Sequence, residues 1–443
     1  MSDSIAAVPR HSIYRHPGFL PFLIGRVAAV GAMQIQAVIV AWQVYELTRD
    51  PLSLAYVGLA QFIPMLFLLM PAGDLIDRFD RKRILTLSWA VEGLCSGLLA
   101  WLSLDLPSPQ AIYAVLVLFG CARAFTGPTL QSLLPQIVPR EQLAAAIAAN
   151  SMIMRGATII GPLLGGGLYA WGGAGVSYAF CLGCFGFGML LLLWVPVRPA
   201  ERSRNLEATA WKRFTAGIDF IRSRPIILGS ISLDLFAVLL GGVIALLPIY
   251  AQDVLQVGPA GLGALRSAIA FGEILMGLYL SIRPLDRHVG LTMFGAVAVF
   301  GLANLLFALS SLFWLSLLAL LVAGAADMVS VYIRSALVQF STPDDMRGRV
   351  SAVNMLFIGS SNELGEFRAG SSAAWLGAVP AAVLGGFCSL AVVGTWMAWF
   401  KSLRDVDRFE DAALESATVN PEPVEALAVA EIGGLEPKVA ERG

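Results

Sequence analysis

The chemistry of this 443-residue sequence rests on charged side chains set inside runs of apolar residues long enough to cross a bilayer. Arg26, Glu92, Arg123, Arg155, Asp234, Arg266, Glu273, Asp327, Arg334, Glu363, Glu366 and Arg368 all fall within such runs. Each costs ~3 kcal/mol or more at mid-membrane unless it has a partner, a watered cavity or a route to the interface. Groups of this kind move protons and polar solutes rather than break bonds. A carboxylate that is dry in one conformation and wet in another holds its proton differently in the two. The densest stretch is Ser360-Ser-Asn-Glu363-Leu-Gly-Glu366-Phe-Arg368-Ala-Gly370. Ser361, Asn362, Glu363 and Glu366 lie within two turns of it, which is costly in lipid and sensible beside a wet cavity. Arg266 and Glu273 are seven residues apart, as are Asp327 and Arg334, so each pair shares a helix face. Arg334, near the end of its run, is expected to snorkel. Glu92 reads as structural, bonded to Ser88 or Ser96.

Composition narrows the classes. With 57% hydrophobic and 14% charged residues and a mean hydropathy of +0.74, the chain departs from soluble usage and reads as polytopic. No Gly-Lys dipeptide occurs, which excludes a P-loop and argues against ATP as the energy source. The five cysteines all fall inside apolar runs; Cys181-Leu-Gly-Cys184 has redox spacing, but its apolar, glycine-rich setting favours a packing role. No metal site, cofactor, catalytic constellation or nucleic-acid partner is expected. Arg10, Arg15 and His16 precede the first apolar run without a small-residue cleavage site, so no cleavable signal is expected either.

The elements that must position the charges follow from the apolar runs. Spans are expected near 19–43, 54–76, 84–104, 110–133, 144–171 and 176–195, with a short turn at 46–53 where Pro51 breaks the helix and 172–175 forming a tight reversal. A basic linker follows, carrying an amphipathic surface helix near 210–221. Six further spans are expected near 226–250, 260–281, 289–309, 312–335, 349–371 and 376–400. From about 405 the chain turns acidic and Pro/Ala-rich and reads as a disordered tail. Arg78, Arg81, Lys82, Arg83, Arg140, Arg283, Arg287, Arg347 and Arg349 fall on one set of loops, whereas the other set carries little beyond Arg49. The positive-inside rule then puts both termini in the cytoplasm. An internal repeat is visible at an offset of about 204 residues: Gly120 falls on Gly324, Pro139 on Pro343, Asn150 on Asn354, Gly161 on Gly365 and Gly166 on Gly370. The expected fold is an all-α membrane protein of twelve transmembrane helices in two pseudo-symmetric six-helix bundles. They span 1–197 and 225–404, with a linker at 198–224 and a tail at 405–443.

Between spans 2 and 3 stands Gly73-Asp-Leu-Ile-Asp77-Arg78-Phe-Asp80-Arg81-Lys82-Arg83-Ile-Leu85. It resembles the helix 2–3 loop of the major facilitator superfamily, Gly-x-Leu-x-Asp-Arg-x-Gly-Arg-Arg-x-x-Leu, matching at Gly73, Leu75, Asp77, Arg78, Arg81 and Lys82. Asp80 replaces the second glycine and has no evident role. In span 5, Gly156-Ala-Thr-Ile-Ile-Gly161-Pro162-Leu-Leu-Gly165-Gly166-Gly167 resembles the glycine-proline stretch of superfamily antiporters, a hinge that bends and seals. An ordinary small-residue packing face is the alternative. With Trp42-Gln-Val-Tyr45, Arg347-Gly-Arg349 and the 360–370 stretch, the chain is similar to the enterobactin-exporter-like branch over roughly 15–405.

The resemblance implies roles. Helices 1, 4, 7 and 10 line the central cavity of that superfamily, which puts Arg26, Arg123, Asp234 and Asp327 around the path, with Glu363 and Glu366 added from span 11. Arg123 and Asp327 sit at the repeat offset, so a pair or network including Asp234 is expected to couple protons to switching; a static ion pair is the alternative. Gly73, Asp77, Arg78, Arg81 and Lys82 form the implied conformational latch. In it Asp77 faces the start of helix 11 near 349–352, Gly73 lets helices 2 and 11 touch, and Arg78 reaches Asp344 or Asp345. Trp42, Gln61, Phe62, Phe236 and Tyr332 offer stacking and hydrogen-bonding surface to a ligand. The implied function is a monomeric secondary transporter of the bacterial inner membrane. It exports a small amphipathic molecule (a siderophore, secondary metabolite or drug) against protons. A proton-coupled uptake symporter is the rival within transport, and a non-transporting sensor or scaffold the rival outside it.

Overall fold

A computed structural model describes residues 16–104, 108–197 and 210–411. All regular structure among them is helical. The chain runs through α1 (Phe19–Thr48), α2 (Pro51–Arg78), α3 (Arg81–Leu102), α4 (Pro109–Ile137), α5 (Leu143–Trp194), α6 (Ala210–Ser223) and α7 (Pro225–Gly241). It continues through a single turn α8 (Leu247–Ile249), α9 (Gly258–Ile282), α10 (Val289–Leu309), α11 (Phe313–Phe340), α12 (Asp344–Leu376), α13 (Ala378–Trp399) and the short α14 (Lys401–Arg404).

Local chemistry fixes the boundaries. Pro51, Pro109 and Pro225 each occupy the first turn of a helix, where a missing N–H is harmless. Pro51 therefore separates the two helices by starting α2, and only Arg49 and Asp50 lie between it and the end of α1. The Asp50 side chain accepts from Leu52 N at 3.0 Å. Asp80, without a role in the sequence, caps α3 by accepting from Lys82 N at 2.8 Å and Arg83 N at 3.3 Å.

Ten helices among the described residues are long and apolar enough to cross a membrane, fewer than the twelve spans expected. Two features account for the difference. The 52 residues of α5 are two helices that follow one another without a loop and so count once, although together they are more than long enough to cross a hydrocarbon core of ~30 Å twice. Gly173 separates them with φ 70° and ψ −171°, inside the expected reversal. The other feature is α12, too rich in charge to qualify on composition. Its Arg368 has a structural use: it donates to the carbonyls of Leu239 and Gly242, at 3.2 and 3.1 Å, where α7 unwinds.

Helices α1 to α5 pack on one another around Phe22, Trp89, Tyr178 and Phe185, and α7 to α13 form a second set. Within the first core, Tyr178 donates to Gln43 Oε1 at 2.8 Å and Gln43 donates to Ser103 at 2.9 Å. Cys181 is buried there, its sulfur 3.6 Å from Ala32 O, in the packing role expected of it. The repeat recurs in the packing. A Cβ on Gly120 would lie 2.3 Å from Gln61 O, and one on Gly324 2.1 Å from Ile269 O, so α4 meets α2 as α11 meets α9. Between the sets, a Cβ on Gly166 of α5 would lie 2.3 Å from Pro259 O, and one on Gly370 of α12 3.0 Å from Pro51 O.

The linker helix α6 forms where amphipathicity puts it. Its apolar face is not free: Phe214, Ile218 and Ile221 pack against Val350 and Val353 of α12. Arg198, Arg202 and Arg204 lie outside the described residues. So do residues 412–443. Residues 406 and 407, inside the expected tail, are held in place: Val406 O and Asp407 O accept from Gly290 N and Val289 N at 3.0 and 3.2 Å, capping the start of α10. Phe409 then packs on Tyr332 and Phe340.

Candidate functional site

A cavity of about 350 Å³ lies between the two helix sets. Gln34 of α1, Gln61 of α2 and Arg123 of α4 face it from one set, and Arg266 and Glu273 of α9 with Glu363 and Glu366 of α12 from the other. The polar 360–370 stretch is thus beside a cavity, as its composition required. Arg123 donates to Gln61 Oε1 at 3.1 Å and acts electrostatically on Glu363 and Glu366 across the space. The same two glutamates act on Arg266, and Arg155 acts on Glu273. Glu363 lies over α2, its Oε2 3.6 Å from where a Cβ on Gly58 would stand. The charges costly in lipid therefore balance one another around one polar space.

Other charges go elsewhere. Asp327 faces a small separate pocket with Asp234 and Ser330, away from Arg123, so the pair expected from the repeat does not form. Asp234 instead bonds Arg334, and Ser330 donates to it at 3.1 Å. Arg334 is 3% exposed, so it is held by an ion pair within the second set rather than snorkelling. Arg26 is not in the cavity lining, and its Nε is buried without a partner. Glu92 is fully buried and accepts from Thr126 at 2.7 Å; neither Ser88 nor Ser96 bonds its carboxylate.

Of the stacking candidates, Gln61 alone lines the cavity. Trp42 sits edge-on to Tyr169 with centroids 6.3 Å apart, Phe62 is buried, Phe236 lies against Trp396 at 5.1 Å, and Tyr332 meets Phe409 at 6.1 Å. Their rings satisfy helix packing instead. Gln34, Arg266 and Glu273 belong to the site without having been assigned to it. Their signal was available: Arg266 and Glu273 share a face at seven-residue spacing, and Gln34 is one of three amides, with Gln36 and Gln43, in an otherwise apolar run.

The two ends of the cavity differ. At the end bearing Arg49 the sets are joined: Asp253 takes a hydrogen bond from Tyr45 and pairs with Arg49 at 3.2 Å. Nearby, Ser267 donates to Ile159 O at 2.6 Å. The hinge stretch lies on this seam. Gly161 meets Gln34, Gly165 meets Ile35, Pro162 O meets Gly263 and Gly166 meets Pro259, whereas Gly156 has open space.

At the basic-loop end the implied latch is not engaged. Gly73 has open space where a Cβ would stand, so it brings no helix close. Asp77 pairs with Arg81 at 3.8 Å, inside its own loop, and its side chain is 51% exposed. Arg81 also donates to Ser132 O at 3.2 Å, and Lys82 donates to Leu193 O and Val195 O at 2.9 and 2.8 Å. These side chains bind the loop to α4 and the end of α5, not to α12. The side chains of Asp344 and Asp345, proposed partners of Arg78, lie outside the described residues.

A family model described as "Transmembrane secretion effector" matches residues 12–435. The chain is 28% identical over 392 residues to "Enterobactin exporter EntS" of Escherichia coli O1:K1 / APEC, covering 86% of this chain and 90% of that protein. The fold of this chain is similar to that of a bacterial homologue of the iron transporter ferroportin, solved in an inward-facing state, with a TM-score of 0.67 at 18% identity over 89% of this chain and all of that one. A bacterial homologue of the human lysosomal transporter Spinster, inward-facing and occupied, gives 0.68 at 14% identity over 90% and 98% of the two chains.

Proposed function

We infer that this chain, which belongs to the transmembrane secretion effector family within the major facilitator superfamily, is a secondary transporter that exports a small amphipathic molecule by alternating access. The observation that carries this reading is the charged cavity between two helix sets that are joined at the Arg49 end. Two bundles of six spans would rock about that seam and present the cavity to one side at a time. The positive-inside asymmetry assigns the basic-loop end to the cytoplasm, so the conformation described is open inward. The latch residues of the α2–α3 loop would engage α12 only when that end closes, which fits Asp77 and Gly73 lacking a partner on α12 here.

Coupling follows from charge balance. Glu363 and Glu366 face two guanidiniums, and either carboxylate can accept a proton or a basic group of the cargo, but not both at once. Competition of this kind exchanges inward-moving protons for outward-moving cargo across the bacterial inner membrane. The relatives named as enterobactin exporters make a siderophore or related secondary metabolite the first cargo to try. The test is flux into inside-out proteoliposomes under an imposed pH gradient. Uptake of such a cargo that collapses with a protonophore supports export. Transport in the opposite sense, accelerated by protons moving with it, would instead establish an uptake symporter. No flux with any proton dependence would leave a sensor or scaffold.

A further inference from the structure

Away from the central cavity, and sharing no residue with it, a groove of about 520 Å³ lies on the outside of the first helix set. Helices α2 and α3 each pack against α4 but scarcely touch one another. They diverge from the two-residue loop that joins them and leave α4 as the floor between them. Leu75 and Phe79 form one side, Leu87 and Val91 the other, and Leu118 and Phe125 the floor. Phe79, Leu87 and Leu118 are exposed, so the groove faces the surrounding bilayer rather than the interior of the bundle. Ser88 is the one hydroxyl in the lining, and it donates to Ile84 O at 3.0 Å, within its own helix. The walls therefore ask for nothing but hydrocarbon.

The groove has the length of one leaflet. Along α3 it runs from Asp80 to Val91, eleven residues or ~16 Å at 1.5 Å per residue, against ~15 Å for half a hydrocarbon core. Its head is at the basic-loop end, which the positive-inside rule places among the cytoplasmic headgroups. There the lining turns from apolar to charged, at Asp80 and Arg83. Asp80 is spent on the N–H groups of Lys82 and Arg83. Arg81 and Lys82 are spent on carbonyls of α4 and of the end of α5. Among the described residues Arg83 meets Asp80 alone, at 3.9 Å, and its side chain is 89% exposed. A guanidinium at headgroup depth, over an apolar slot one leaflet deep, complements an anionic phosphodiester with an acyl chain attached.

We propose that this groove binds an anionic phospholipid of the cytoplasmic leaflet, with one acyl chain between α2 and α3 and the phosphate on Arg83. The lipid is a bound partner of the protein and not its cargo, because the groove is separate from the cavity. A zwitterionic lipid also brings a chain and a phosphate, but its own cation offsets the charge that Arg83 would meet. The inference uses the orientation set by the basic loops and does not depend on export.

The test is photo-crosslinking of the full-length chain in phosphatidylcholine nanodiscs. The probes are phosphatidylglycerol and phosphatidylcholine with the same diazirine-bearing acyl chain, each added at low mole fraction, with adducts mapped by peptide mass spectrometry. In wild type the phosphatidylglycerol probe should label 84–91 and 118–125 at least about fivefold more than the phosphatidylcholine probe, the ratio expected of one basic side chain near the surface. Arg83→Gln should bring that ratio below about twofold. Cys121→Phe, which puts a ring into the floor, should lose labelling of those segments by both probes. Labelling of the exposed faces of α10 and α13 should persist in each variant and reports that the protein is folded. Equal labelling by the two probes in wild type identifies ordinary boundary lipid and overturns the assignment, as does a preference that survives Arg83→Gln. Adducts that survive Cys121→Phe, or none in either segment of wild type, place the lipid elsewhere and overturn it as well.

Discussion

Replacing Asp234 with alanine should unbalance the second helix set more than any other single truncation of a charge. Asp234 bonds Arg334 and accepts from Ser330 at 3.1 Å, and Arg334 is 3% exposed with its Nε already without a partner. Removing the carboxylate strands a buried guanidinium, a loss of ~3–5 kcal/mol in comparable pairs. Asp234→Asn keeps an acceptor for Ser330 but not the charge, and should fall between wild type and alanine. The paired change Asp234→Leu with Arg334→Met removes both charges together, so it should return to within ~1 kcal/mol of wild type or exceed it. Denaturant unfolding in mixed micelles compares the three variants with wild type. An Asp234→Ala protein within ~1 kcal/mol of wild type, or a double variant as unstable as the single, would refute a buried structural ion pair. If the stable double variant also exports normally, the pair has no part in coupling, and the cavity glutamates carry it alone.

Three smaller tests address the ends of the cavity. Asp80→Ala should lower stability by ~1 kcal/mol through loss of the α3 cap, and Asp80→Asn by only a few tenths, as read by thermal unfolding. Lys82→Ala removes two bonds to the last carbonyls of α5 and should cost ~1–2 kcal/mol in the same assay, with the loss shrinking at high salt. Gly166→Val places a methyl-bearing carbon 2.3 Å from Pro259 O, an overlap costing ~1–3 kcal/mol in the conformation described. It should raise maleimide labelling of an Ile244→Cys reporter, which lines the cavity, from the outer face; unchanged labelling would remove that seam as the contact that closes this end.

The helices were readable because a membrane allows the backbone few choices, and apolar length announces each span. Even Asp80, silent as a departure from the loop pattern, follows an ordinary capping rule once α3 is seen to begin at Arg81. The pairing of charges was less legible. Position along a span gives depth but not azimuth, and Arg123 and Asp327, equivalent by repeat, belong to opposite halves with no need to meet. Asp234 instead found Arg334 on a helix of its own set, a contact no spacing within one helix reveals. Gly73 and Asp77 illustrate a different limit: a loop pattern names residues but not their partners, and here Asp77 pairs with Arg81 of its own loop while Gly73 faces open space. The aromatic candidates failed for a plainer reason, since a ring in a helical bundle finds another ring as readily as a ligand.

The docking of residues 406 and 407 onto the first turn of α10 has a consequence for biogenesis. The leading N–H groups of that helix are capped by a segment made more than a hundred residues later. The second half can therefore insert helix by helix but cannot finish folding until synthesis has passed Asp407. Until then α10 carries an unsealed end, the kind of defect on which membrane quality control acts. A stop codon just before Val406 would remove none of the spans and yet leave the protein permanently in that unfinished condition.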